Sequence, residues 1–192
     1  MKDNARQQII AATLKLIGSN GIGGVSNRAV AQAAEVSPGT LTYHFPDQEN
    51  LLSEALNSFV DDEVARLTAM KKRLDAGGAD PRTTLEETRV EVEDRVDPTE
   101  HLAQFELYLH AARVDDLKGA ADRCYRAYDH SAESLLTTMG VTDPARYAPL
   151  ITSFVDGLEL RRLALGEATV DLGEALTVLL AGIGGLDAAD RK

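Results

Sequence analysis

The chain has 192 residues, of which 44% are hydrophobic and 27% are charged. This is the composition of a globular protein with one domain or two small ones, and it excludes wholesale disorder. No apolar run approaches the roughly 20 residues of a membrane span, and the polar N-terminus lacks a signal-peptide core. The single cysteine, Cys124, excludes an internal disulfide and suits a reducing compartment, so we expect a soluble cytoplasmic protein.

The net charge of −11 is unevenly distributed along the chain. Residues 1–45 carry four basic and two acidic side chains, so this segment is weakly positive while the remainder is strongly acidic. Phosphate binding requires positive potential only where the contact occurs. The acidic remainder either confines contact with a polyanionic partner to the N-terminal segment or, more simply, keeps the protein soluble.

The apolar spacing is helical throughout, and no segment shows the two-residue alternation of a strand. We therefore predict an all-α protein with about nine helices. The first spans about residues 4–19 and is followed by a glycine-rich loop at 21–24. Ser26 and Ser37-Pro38 predict the starts of the second and third helices, because a serine hydroxyl accepts an orphan N–H and proline is tolerated in the first turn.

A fourth, long helix is predicted over about residues 48–74. No break separates it from the first three helices, so we expect it to be shared between a head at 1–47 and a body at 48–192. Asp-Pro pairs, each aspartate a potential N-cap, and glycines delimit the remaining helices. These helices are predicted over about 81–96, 98–114, 116–139, 144–165 and 171–184.

Residues 26–45 predict two short helices joined by a tight turn. This arrangement is typical of a helix-turn-helix, which presents one helix to the major groove of DNA. Small apolar residues that permit a close helix crossing alternate with polar residues that suit phosphates and base edges. A three-helix core without a partner is the alternative, but such a core does not require Ser-Pro-Gly-Thr followed by Tyr-His. Tyr43 could equally pack against the first helix.

The run from Val36 to Phe45, followed by Leu51-Leu52, resembles the recognition helix of the TetR family of transcriptional repressors. The resemblance covers about the first quarter of the chain. It implies a three-helix DNA-binding head at 1–47 and a helical body at 48–192 that binds an effector and dimerises. Further upstream residues share the family pattern: Ala11-Ala12, Leu14, Gly21, Ser26, Arg28, Val30-Ala31 and Ala34.

The same resemblance implies which side chains meet DNA. One position departs from the family, which often has a lysine near the start of the fourth helix, where it meets a phosphate. This chain has Gln48 there, between Asp47 and Glu49, which predicts fewer charge contacts, weaker binding and a shallower salt dependence. The implied DNA-binding residues are Asn27, Arg28, Ser37, Pro38, Gly39, Thr40, Thr42, Tyr43 and His44.

Beyond residue 60 the resemblance is one of architecture. It implies a homodimer through the helices at about 144–165 and 171–184, whose apolar stripes can bury each other in a four-helix interface. The alternative is a monomer in which both stripes pack inward. The stripes comprise Leu150, Ile151, Phe154, Val155, Leu158 and Leu165 on one helix, and Leu172, Leu176, Leu179, Leu180 and Ile183 on the other.

Polar and aromatic residues of the middle helices are the candidates for an effector pocket. Each of them could equally be an ordinary core residue. The principal candidates are His101, Phe105, Tyr108, Tyr125 and Phe154, with Tyr128 and Glu159 as further ones.

No catalytic site, cofactor or metal is expected. His101 and His110 are nine positions apart, on opposite faces of one helix, and cannot share a metal within a chain. Cys124 is interpreted as a small core residue, and the acidic residues between 86 and 94 as solvated surface. The sequence contains neither a glycine-rich phosphate loop nor a nucleophile elbow.

These patterns favour a TetR-like homodimeric repressor that binds a roughly palindromic operator and is released by a small-molecule effector. A different interpretation is an all-helical ligand carrier or enzyme with a vestigial head, whose activity would survive replacement of Arg28 and Thr40. A third is a DNA-binding activator or architectural protein that requires no effector. Its melting temperature would not change with any small molecule.

Overall fold

The computed structural model describes residues 2–76, 83, 86–87, 89–90, 98–166 and 170–190. Over these residues the protein is all-helical and contains no strand, as predicted. Eight α-helices are described in full, with one 3-10 turn at Ile22–Gly24 between the first two. The helices are α1 (Lys2–Asn20), α2 (Asn27–Ala33), α3 (Pro38–His44), α4 (Gln48–Ala76), α5 (Pro98–Ala111), α6 (Asp115–Thr138), α7 (Pro144–Leu165) and α8 (Leu172–Asp190).

The helix predicted over about 81–96 falls largely outside the described residues, although the five described positions within it are helical. No helix in the described part of the chain combines the length and the apolar character that crossing a membrane requires.

Local chemistry explains most helix starts. The hydroxyl of Ser26 accepts a hydrogen bond from Ala29 N at 3.2 Å, and that of Ser37 accepts one from Thr40 N at 3.0 Å, so both predicted caps are present. Asp143 is different, because its side chain makes no cap hydrogen bond, and the start of α7 is marked by Pro144 alone.

The chain forms two compact units, Met1–Glu63 with Val96–Cys124 and Val64–Arg95 with Tyr125–Lys192. The division falls within α4 and within α6, so each of these helices contributes residues to both units. The functional division between residues 47 and 48 stays a prediction.

In the first unit, α1 and α5 approach each other very closely at Gly18. A Cβ atom added to Gly18 would lie 1.9 Å from the carbonyl oxygen of Thr99, so only glycine fits at this crossing. The carboxylate of Glu106, also on α5, accepts a hydrogen bond from Ile22 N at 3.5 Å. Helix α5 is therefore in direct contact with α1 and with the turn that follows it.

In the second unit, α7 and α8 pack together over a core that includes residues of α6. Ile151 of α7 and Leu176 of α8 are buried in this core, and Phe154 packs against it from the side. Its buried residues are Ala132, Leu136, Tyr147, Ala148, Ile151, Leu172, Leu176, Leu180 and Ile183.

Candidate nucleic-acid interface and effector site

The turn between α2 and α3 has the geometry of a Schellman motif. Glu35 has a φ of 54°, Glu35 N donates to Gln32 O at 3.3 Å, and Val36 N donates to Ala31 O at 3.0 Å. This left-handed position usually carries glycine, because other side chains are strained there. The turn sets α2 and α3 as a helix-turn-helix, with Ala31, Val30 and Leu41 buried beneath it.

The nine predicted DNA-binding residues are mostly at the surface. Tyr43 is 68% exposed, so it does not pack into the head, and its ring lies edge-on to that of His44 with centroids 5.2 Å apart. Thr40 and His44 are half-buried. The exposed members are Asn27, Arg28, Ser37, Pro38, Gly39, Thr42 and Tyr43.

Three of these residues also make hydrogen bonds that define α3. Ser37 caps the helix, its Oγ lies 2.9 Å from Thr40 Oγ1, and the Thr42 hydroxyl donates to Pro38 O at 2.9 Å. The hydroxyls of these residues therefore hold fixed directions at the first turn of α3. Contact of the nine residues with DNA remains a prediction.

Arg6 is a partly exposed cation of the head that is paired with other residues of the chain. Its guanidinium pairs with Glu54 of α4 and lies 5.6 Å from the centroid of the Phe45 ring. Arg28 and Lys15 are exposed. The positive charge that this region offers to a phosphate is therefore smaller than the count of basic residues suggests.

Three of the effector candidates, His101, Phe105 and Tyr108, lie on one face of α5 in the first unit. His101 is 8% exposed, and Phe105 and Tyr108 are half-buried. The Tyr108 hydroxyl donates to the Cys124 sulfur at 3.0 Å and accepts from Gln104 Nε2 at 3.3 Å. Polar groups thus occupy a buried face of α5, whereas Thr99 and Glu106 use another face to contact α1 and the turn after it.

The other two candidates belong to the second unit. Tyr125 is partly exposed on α6, and Phe154 packs against the core shared by α6, α7 and α8. Of the two further candidates, Tyr128 is half-buried, and Glu159 accepts hydrogen bonds from Arg162, one turn along α7.

The sequence patterns did not predict that two polar residues, Gln104 and Glu63, are buried. Gln104 is 4% exposed, three positions after His101 and four before Tyr108, and this spacing on one helix face was the available signal. Glu63 is 5% exposed and interrupts the apolar stripe of α4 between Val60 and Leu67. A charged residue at a position where the helical spacing predicts a buried apolar residue is the sequence signal for this site.

Cys124 is fully buried, in agreement with its interpretation as a core residue. His101 and His110 are both on α5. Within the described ranges no three His, Cys, Asp or Glu side chains are grouped as metal ligands.

The apolar stripes predicted for a dimer are used mainly inside the second unit. Ile151 and four residues of α8 are buried there, and Phe154, Val155, Leu158 and Leu179 pack against them. Up to Ile183, the last position of α8 whose side chain is described, the large apolar side chains that remain exposed on these two helices are Leu150, Leu160, Leu165 and Val178. Periodicity marked the apolar residues but did not distinguish those buried within the chain from those left at the surface.

Comparison with known proteins identifies the family. A family model described as bacterial regulatory proteins, tetR family, matches residues 9–55. A second model, described as Tetracyclin repressor-like, C-terminal domain, matches residues 76–184, which is more than half of the chain.

Individual proteins agree with this assignment over nearly the whole chain. The HTH-type transcriptional regulator BetI of Paraburkholderia xenovorans (strain LB400) is 27% identical over 172 residues, which is 87% of this chain and 86% of BetI. A TetR-family member from Streptomyces coelicolor A3 is 29% identical with a TM-score of 0.69, covering 93% of this chain and 97% of that one. The multidrug binding protein EbrR complexed with ethidium is 28% identical with a TM-score of 0.68, covering 93% and 97%. The chain belongs to the TetR family of bacterial transcriptional regulators.

Proposed function

We propose that this protein is a cytoplasmic, homodimeric transcriptional repressor without catalytic activity, released from its operator by a small molecule. The DNA-binding part is residues 1–47 and the effector-binding and dimerisation part is residues 48–192. The observation that carries the proposal is the exposed polar surface of α3, held by the Ser37 cap and a helix-turn-helix geometry at its start. Ordered hydroxyls and an exposed tyrosine suit a helix that reads base edges and phosphates.

Arg28 is the clearest candidate for a phosphate contact, because it is an exposed cation in the first turn of α2. We expect Arg28→Ala to weaken binding to all duplexes by a similar factor and to reduce the salt slope by about one for each head that binds. Operator selection with the purified wild-type protein supplies the specific duplex, and fluorescence anisotropy at several salt concentrations supplies the slope.

Lys118→Ala is a matched control, since Lys118 is an exposed cation on α6 that pairs with Asp115. It should leave the slope unchanged. A wild-type protein that selects no sequence would contradict the proposed function, and an Arg28→Ala slope equal to that of the wild type would remove Arg28 from the contact.

The dimer is supported by the surfaces of α7 and α8 that the second unit leaves exposed. Leu150 and Leu160 lie on the same exposed side of α7 as Gly157, and Val178 is exposed on α8 beside Gly182. A Cβ atom added at Gly157 or Gly182 would meet nothing within 4 Å in the same chain. Large apolar side chains beside small residues allow a second pair of helices to approach closely.

The polar face of α5 is the proposed site of effector contact. His101, Gln104 and Tyr108 are polar groups at buried or half-buried positions, and polar groups that converge in an apolar setting are typical of ligand sites. Because α5 also contacts α1 at Gly18, a ligand that displaces α5 would act directly on the head. In this proposal α5 alone transmits the movement caused by the effector to the head.

Aromatic organic cations are the proposed effector class. Helix α5 supplies the half-buried aromatic rings of Phe105 and Tyr108, and the faces of such rings attract a cation. EbrR binds ethidium in one solved structure and malachite green in another, both of which are aromatic cations.

We expect ethidium and malachite green to raise the melting temperature of the DNA-free protein. A ligand present at about 100 times its dissociation constant stabilises the folded state by about 2.7 kcal/mol. Gln104→Leu should reduce this shift, because it removes the buried amide that donates to Tyr108. Gln8→Leu, at an exposed position of α1, should preserve it. The absence of a shift with both dyes would contradict aromatic cations as the effector class.

A further inference from the structure

The start of α4 is occupied by the chain's own side chains. Asp47 Oδ1 accepts a hydrogen bond from Asn50 N at 2.7 Å, and Asp47 O accepts one from Leu51 N at 3.2 Å. The cap of this helix is therefore a carboxylate, and Glu49 adds a second negative charge in the first turn. A helix N-terminus attracts a phosphate when its N–H groups are available and uncompensated, which is not the case here.

Gln48, the first residue of α4, is directed into the head. Its Nε2 donates to the carbonyl oxygen of Val25 at 2.8 Å. Val25 is 4% exposed and directly precedes Ser26, the N-cap of α2. One hydrogen bond thus joins the beginning of α4 to the beginning of the helix-turn-helix.

A separate contact joins α4 to the other end of the helix-turn-helix. Glu54 pairs with Arg6, and the Arg6 guanidinium lies over the ring of Phe45, the C-cap residue directly after α3. The helix-turn-helix is therefore held against α4 both before α2 and after α3. Of these two contacts, only the one made by Gln48 is a hydrogen bond to the backbone, at Val25, the residue directly before the helix-turn-helix.

We propose that Gln48 is a positioning residue that fixes the orientation of the helix-turn-helix on α4 without itself touching DNA. This rests on the proposed DNA-binding function. At this place TetR-family members often carry a lysine that meets a phosphate, whereas here the side chain supports the entry to α2. The orientation of α2 and α3 then depends on a hydrogen bond inside the protein.

The consequence differs for specific and non-specific DNA. Sequence-specific binding requires each recognition helix to meet its base edges in a fixed orientation, while non-specific binding requires only positive charge near the phosphates. Loss of the bond from Gln48 to Val25 should weaken specific binding and leave non-specific binding unchanged. A residue that contacts a phosphate would affect both.

The test is the specificity ratio of Gln48→Met, which keeps the length of the side chain and removes the donor. Affinities are measured for the selected operator and for a scrambled duplex of equal length, well below the melting temperature of each variant. We expect operator affinity to fall roughly two- to ten-fold, the effect of losing one hydrogen bond, with no change for the scrambled duplex or in the salt slope.

Gln48→Lys is the rescue variant, because its ammonium group can donate to the same carbonyl. Its added charge should strengthen binding to both duplexes, but its specificity ratio should return to that of the wild type. Gln8→Met, the same change at an exposed position of α1, should retain the wild-type ratio.

Equal loss on both duplexes would overturn the proposal by making Gln48 a DNA contact. An unchanged ratio in Gln48→Met would overturn it by showing that the bond does not orient the head. If the wild-type protein itself shows no preference between the two duplexes, the proposed function fails, and the role of Gln48 fails with it.

Discussion

Gly18→Ala is expected to lower the melting temperature by several degrees, although alanine is the better helix former. In an open helical position this change stabilises a protein by about 1 kcal/mol. At Gly18 the new methyl group would lie 1.9 Å from the carbonyl oxygen of Thr99, so α1 and α5 would have to separate. Overpacking of this kind costs about 1–3 kcal/mol or more, and each kcal/mol corresponds to about 2–4 °C for a chain of this length.

Thermal unfolding followed by circular dichroism at 222 nm measures this effect. Gly119→Ala is the matched control, because a Cβ atom at Gly119 of α6 would meet nothing within 4 Å. It should raise the melting temperature by a few degrees. A Gly18→Ala protein at least as stable as the wild type would contradict the close contact between α1 and α5.

The same variant tests the proposed route of the signal. If α5 passes effector-induced movement to α1, the separation forced by alanine should resemble the released state. Operator affinity should then be reduced even well below the melting temperature, while Gly119→Ala binds as the wild type does. If the destabilised Gly18→Ala protein binds the operator with wild-type affinity, the contact between α1 and α5 stabilises the fold but does not transmit the effector signal.

Val178→Asp is expected to convert the proposed dimer to a monomer and to weaken operator binding by about 100-fold or more. Val178 is 68% exposed in the single chain, so a carboxylate there should leave the folded protomer intact. In a dimer the same group would be buried without a partner, which costs several kcal/mol. The affinity for the operator would fall because a monomer loses the gain that a dimer obtains by binding both half-sites at once.

Sedimentation velocity gives the oligomeric state, and anisotropy with the selected operator gives the affinity. Leu109→Asp is the control, because Leu109 is an exposed apolar residue of α5, which is not one of the two helices proposed to form the interface. It should remain dimeric. A dimeric Val178→Asp protein would place the interface elsewhere, and a monomeric wild-type protein would contradict the dimer itself.

Local features of the chain were predictable because their causes are local. Ser26 and Ser37 cap helices through bonds to residues three positions away, and Gly140 and Gly166 have the positive φ angles expected at helix ends. The three-helix start, the long α4 and the positions of α7 and α8 follow from the same kind of signal. The recognition-helix pattern added the family, which the comparisons confirm.

The apolar stripes show where this kind of inference stops. Spacing identified Ile151 and Leu150 alike as members of a stripe on α7, yet one is buried in the second unit and the other is exposed. Periodicity reports which face of a helix is apolar, and it carries no information about the surface that covers that face. For the same reason, it could not show that the face of α5 bearing His101 and Tyr108 is buried.

The sequence by itself determined the helical class, the helix-turn-helix, the TetR family and the approximate positions of the described helices, although α5 ends at Ala111 rather than near 114 and α8 continues to Asp190 rather than ending near 184. These depend on intervals of three or four residues, over which hydrogen bonds and side-chain spacing act directly. Only the tertiary structure showed that Gly18 meets Thr99, that Tyr108 donates to Cys124, and that Gln48 donates to Val25. Each of these contacts joins residues far apart in the chain, and their meeting is set by the packing of whole helices, which no short interval of sequence encodes.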